Sequence, residues 1–226
     1  MLGNYKILFM VNAYIKQLGI QKEIDIRNFI SKEEGVAKEL VAIFESKFNP
    51  TNPKIINFEG PLLAEYNDFI PLTLNLFNDC IVRTNYFLGK DYISFKVDLS
   101  KFKNQAIIPR PITFREIFVY SEDFEAIHLR LGRVARGGLR WSDRMNDFRT
   151  EVLGLVKTQN TKNTVIVPVG SKGGFVIKKD AKDVETAKSC YRSFLSGCLD
   201  ITDNVIGGKT VHPKDVVIYD GEDPYF

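Results

Sequence analysis

Residues 132–144, "GRVARGGLRWSDR", hold four arginines, three glycines and the one tryptophan of the chain. Further on, "VIVPVGSKGGFVIKK" (165–179) sets Lys172 among Gly170, Gly173 and Gly174. Glycine beside a cation lets backbone and ligand approach closely. Arginine binds a carboxylate through two parallel N–H bonds. A lysine that is partly desolvated among other cations gives up its proton more easily and can serve as base or nucleophile. Arg136 with Gly137 and Gly138, Lys162 at the end of a predicted helix, and Lys172 therefore make a candidate site for a dicarboxylic acid. In it Lys172 is the catalytic group and the other four hold the substrate. The plain alternative is that the glycines mark tight turns, the arginines are solvated or ion-paired, and Trp141 packs.

Three other chemistries fit less well. A phosphate-binding P-loop needs a glycine five before its Gly-Lys and a hydroxyl after the lysine. Lys172 has neither. The dinucleotide fingerprint Gly-x-Gly-x-x-Gly, placed between strand and helix, is matched nowhere in the chain. Local positive charge, one aromatic and flexible glycines would suit RNA, but Asp143, Asp147 and Glu151 follow at once and would repel a phosphate track. Net charge is only +3, so bulk electrostatics adds no case for nucleic acid. Two histidines and three cysteines leave little for a metal site or a disulfide framework. Cys190 and Cys198 sit in a helical pattern as buried thiols, and a reducing, cytoplasmic setting is expected. The apolar run "ILFMV" near the start lacks a basic leader and a cleavage site, and it is too short to span a bilayer.

The elements that must position these residues divide into two parts. Residues 1–90 read as a helical connecting region and residues 91–226 as an incomplete α/β domain. Leu8, Val11, Ile15 and Leu18 repeat at helical spacing. "SKEE" (31–34) resembles a capping box ahead of Val36, Leu40, Phe44 and Phe48, and "NPTNP" (49–53) ends that helix. Residues 72–88 are predicted as a further helix following Pro71. The period then changes: 92–99, 116–121 and 126–134 alternate as strands. A helix is expected over 143–162, a buried strand over 165–170, and a helix over 183–206 with Val205 on its inner face. "VVIYDGEDPYF" reads as a strand and a turn. The predicted fold is α/β, a helical region followed by a mixed-sheet substrate domain truncated at its C-terminus.

The stretch from Gly132 to Lys179, together with "RTNYFLGKDYISFKVD", "EIFVYS" and "YDGEDPYF", closely resembles the large multidomain NAD-specific glutamate dehydrogenases. It also resembles, more distantly, the substrate domain of the small glutamate dehydrogenases. The resemblance implies oxidation of L-glutamate with NAD to 2-oxoglutarate and ammonia. By motif match, Arg136 in "ARGG" would hold the side-chain carboxylate and Lys162 in "TKN" the α-carboxylate. Lys172 in "GSKGG" would activate the water that attacks the imine. There are three departures: arginine replaces the first lysine, the interval from Lys162 to Lys172 is shorter, and Ser171 replaces a glycine. Lys157 is a competing match for the second cation.

The family's proton-exchanging aspartate is expected beyond Phe226, and Asp220 and Asp223 lie in the wrong motif to replace it. With no nucleotide-binding domain, the chain reads as a fragment that is inactive alone. Its expected partners are other enzyme segments or copies of itself, with no nucleic acid and no membrane. The competing reading is a non-catalytic remnant that binds a small carboxylate or a partner chain.

Overall fold

The computed structural model describes residues 5–162, 169–179 and 183–226; the side chains of Asn160 and Lys162 are outside the described residues. Its centre is a six-stranded sheet: β1 (Ile81–Thr84), β2 (Ile93–Val97), β3 (Arg115–Tyr120), β4 (Phe124–Arg130), β5 (Ala135–Trp141) and β6 (Val169–Ile177), in the order β1-β2-β3-β4-β6-β5. All neighbours are antiparallel except β5 and β6, which run parallel. Helix α5 (Phe148–Lys162) joins that parallel pair, as a parallel connection requires. The architecture is the mixed α/β fold expected.

Period-2 alternation decides which face of the sheet meets which helices. Phe118, Ile127, Leu129 and Val176 pack under α1 (Lys6–Leu18), α3 (Glu34–Phe48), α4 (Phe69–Asn75) and α5. Ile117, Val119, Phe124, Ala126, Phe175 and Ile177 pack under α6 (Val184–Leu199) with Ala187, Cys190, Phe194 and Cys198. β4, covered on both sides, is buried along its whole length. On the first face α1 and α5 meet at Glu116. Its carboxylate takes two bonds from Arg149 (2.9 and 2.5 Å), one from Tyr14 (2.9 Å) and one from Thr113 (2.7 Å).

Several details differ from the sequence-based expectation, among them β5 itself, a strand at Ala135–Trp141 where none is expected, and α5, which begins at Phe148 and not at 143. α4 stops early and widens into a π turn at Leu76–Cys80, so residues 81–84 form β1 rather than continuing a helix. The β-branched Ile81, Val82 and Thr84 favour that pairing with β2. Ser31 lies inside α2 (Ile26–Lys32), so the capping box does not form. Asp25 caps α2 instead, accepting from the Asn28 N–H at 3.1 Å. α6 ends at Leu199, and β7 (Asn204–Ile206) and β8 (Lys209–Val211) form a hairpin turning at Gly207 and Gly208, both at positive φ. Val205 is therefore exposed and not on a helix face. The strand expected within "VVIYDGEDPYF" is absent: one backbone bond, from the Tyr219 N–H to the Val82 carbonyl at 3.0 Å, and the Asp220 ion pairs with Arg83 and Lys96 hold that stretch in place of a ladder. The strand expected at 165–170 falls largely on residues outside the described ones, and β6 runs on from Val169 through the lysine to Ile177.

Candidate active site

β5 places the arginine-glycine run on the sheet margin, paired only with β6. Arg136 is opposite Gly170, Gly138 opposite Lys172, and Arg140 opposite Gly174. Residues in register share a face. An added Cβ at Gly174 would lie 2.8 Å from Val152 of α5. Arg136, Gly138 and Lys172 are thus on the α5 side. Gly137 is one step off on the α6 side, opposite Ser171. An added Cβ there would lie 1.5 Å from the Ser171 carbonyl oxygen, so this close approach requires glycine.

α5 closes over this pair of strands. Gln159 donates from Nε2 to the Arg136 carbonyl at 2.9 Å, and its Oε1 is buried without a hydrogen-bond partner. The same oxygen would be 3.0 Å from a Cβ at Gly170. Lys162 is the last residue of α5, three positions beyond Gln159; its side chain lies outside the described residues. At the other end of β5, Arg140 pairs with Glu151 at 3.1 Å, and the Ser142 hydroxyl donates to the same carboxylate at 2.5 Å. The structure thus puts Arg136, Gly138 and Lys172 on one face and Gly137 on the other. Gln159 carries no motif and escapes a reading of the sequence; its one signal is that it sits a helical turn before Lys162. Trp141 stacks on Phe175 with ring centroids 6.4 Å apart and is a packing residue.

Across the sheet, on the α6 side, a cavity of about 360 Å³ is lined by side chains including His128, Leu139, Ser171, Tyr191, Leu195 and Phe226. His128 is buried, and burial, aided by Arg130, drives its pKa down to about 3, so the imidazole is neutral. A second depression of about 410 Å³ at Lys6, Phe9, Arg27, Tyr120 and Lys178 touches neither glycine run. Among the described residues no cluster of His, Cys, Asp or Glu is arranged to hold a metal, and no helix is long and apolar enough to cross a membrane.

Asp220 and Asp223 stand in a buried ionic row. Arg83 of β1, Lys96 of β2, Arg115 of β3 and Arg130 of β4 all lie on the α6 face. Arg83 binds Asp203 through both nitrogens (2.6 and 3.1 Å) and Asp220 through Nε (2.5 Å). Lys96 reaches Asp220 at 3.0 Å and Asp223 at 2.6 Å, and Arg130 clasps Asp223 with both nitrogens. Burial would raise the Asp203 pKa, but its bonds from Arg83 and His212 outweigh that and hold it at about 2.

Comparison with known proteins points to one family. Residues 67–226 match the family model described as bacterial NAD-glutamate dehydrogenase, catalytic domain. NAD-specific glutamate dehydrogenases from Halomonas elongata and Pseudomonas aeruginosa are each 41% identical across 94% of this chain, and one from Mycobacterium tuberculosis is 37% identical across 94%. The chain spans 14%, 15% and 15% of the lengths of those three relatives. Identity at this level over nearly the whole chain, with a family match covering the sheet and both glycine runs, settles its descent: the chain belongs to the bacterial NAD-glutamate dehydrogenase family.

Proposed function

We propose that this chain supplies the dicarboxylate-holding part of an NAD-dependent glutamate dehydrogenase, acting on L-glutamate and 2-oxoglutarate. The observation that carries the reading is the parallel β5–β6 register, which brings Arg136 and Lys172 to one face beneath α5. In this reading Arg136 clamps the side-chain carboxylate, where a planar fork gives bidentate contact. Lys162 at the α5 terminus takes the α-carboxylate. The Gly137 and Gly138 backbone keeps the floor of the site low. The unpaired Gln159 Oε1 offers an acceptor to the substrate's ammonium or to a water. Lys172 withdraws a proton from the water that attacks the imine carbon, then returns it as ammonia leaves.

The described residues do not form a cradle for NAD. Both glycine runs lie inside strands, where Gly137 meets Ser171, Gly173 meets Leu139, and Gly174 meets Val152. A dinucleotide cradle sits instead at a strand-to-helix turn. No hydride step is therefore assigned to these residues. Asp220 and Asp223, held in ion pairs, are likewise given no proton-transfer role.

Titration calorimetry of the chain with 2-oxoglutarate tests the reading. Arg136→Met should weaken binding about ten-fold or more, the worth of a charge-assisted pair. Lys172→Met should weaken it less, yet lower turnover of a complete enzyme by about two to four powers of ten. Equal binding by the wild-type chain and Arg136→Met would refute the clamp.

A further inference from the structure

The ionic row on the α6 face holds more than the sheet together. After α6 and the hairpin, residues 219–223 run as a strap across the strands. The Tyr219 N–H donates to the Val82 carbonyl at 3.0 Å, and the Tyr219 hydroxyl to the Lys47 carbonyl at 2.7 Å. Asp220 then meets Arg83 and Lys96, the Gly221 carbonyl accepts from Arg83 at 2.8 Å, and Asp223 meets Lys96 and Arg130. The strap ends against the connection between β4 and β5, residues 131–134. Arg130 donates to the Arg133 carbonyl at 2.7 Å as well as to Asp223, and Arg133 donates to the Glu222 carbonyl at 3.0 Å.

This connection has a demanding task. It crosses the end of β6 so that β5 can pair on the far side, parallel. Beyond it, β5 is mostly exposed and has a partner on one side only. Apolar packing, which holds β2, β3 and β4, is scarce there. Buried ion pairs gain little net stability but specify geometry where each charge has a defined partner. We infer that Asp223, with Arg130 and Arg133, is a positioning device. It fixes the β4–β5 crossing and thereby the place of Arg136, three residues past Arg133. The role of Arg136 rests on the function proposed above; the positioning of β5 does not.

Hydrogen–deuterium exchange on the chain tests this without any ligand. In Asp223→Asn, amides of residues 133–141 should exchange about ten-fold faster, while those of β3 stay within about two-fold of wild type. Asp223→Glu, which restores the charge, should recover much of the protection. Arg133→Ala breaks only an exposed contact, so it remains foldable if Asp223→Asn does not. It should loosen the same residues to a smaller degree. Acceleration spread evenly over the sheet, or unchanged exchange in β5 in both variants, would overturn the inference. In parallel, 2-oxoglutarate should bind Asp223→Asn several-fold more weakly than wild type. Local loosening without 2-oxoglutarate binding by either protein would uphold the positioning and sink the substrate assignment.

Discussion

His128 gives the chain a measurable acid sensitivity. It is 5% exposed in β4, edge-on to Phe226 with ring centroids 5.7 Å apart, and on the same strand face as Arg130. Burial and then Arg130 hold its folded-state pKa at about 3, against about 6.5 in an unfolded chain. The folded value is the lower one, so the stability this residue permits is complete above about pH 6.5 and is lost as pH falls towards 3, because the unfolded state alone gains the proton. The loss is about 1.4 kcal/mol per pH unit, so about 2 kcal/mol is gone at about pH 5. In that window the paired Asp203, at about 2, stays ionised in the fold. Urea unfolding of wild type and His128→Gln at about pH 7.5 and about pH 5 isolates the effect, because only the difference in slope matters. The variant should lose about 2 kcal/mol less than wild type on acidification. Equal losses would show that the imidazole is protonated in the fold or solvated, and the reasoning would fail.

Two further outcomes follow from the buried charges and the glycine strands. The purified chain, supplied with L-glutamate and NAD, should produce no NADH above a protein-free blank, since no described residues cradle the dinucleotide; substrate-dependent absorbance growth would contradict this. Glu116→Gln should cost about 3–5 kcal/mol by leaving the Arg149 guanidinium buried without its countercharge, whereas Tyr14→Phe, which removes one neutral donor, should cost about 1 kcal/mol; similar losses in urea melts would argue against the central role of that ion pair.

What a linear reading finds here follows from how local each cause is. Alternation in "YISFKVDL" and "EIFVYS" reports a two-faced environment, and β2 and β3 form there. Residues 81–84 fit a helical stripe equally well, and only pairing with β2 decides for a strand. Arg83, Lys96 and Arg130 occupy strand positions that a polar-outside rule assigns to solvent, yet all three are buried. Their partners lie over a hundred residues away or at the far end of the chain, beyond the reach of any local pattern. That Arg136 and Lys172 are glycine-flanked cations is legible because their glycine neighbours are adjacent in sequence. Their sharing of a face is not, since it depends on a crossover through α5. Gln159 acquires meaning only from the strands beneath it.

The parallel register between β5 and β6 also acts as a two-position selector. Sliding β6 by a single residue would send Lys172 to the α6 side and bring Ser171 to the α5 side. The same slip would exchange Phe175 and Val176, which belong to different cores on opposite faces of the sheet. A misaligned strand therefore cannot pass as a slightly impaired site. The oily partition three and four residues downstream of the lysine rejects it during folding, and Lys172 inherits its address from the apolar side chains on the two faces of the sheet.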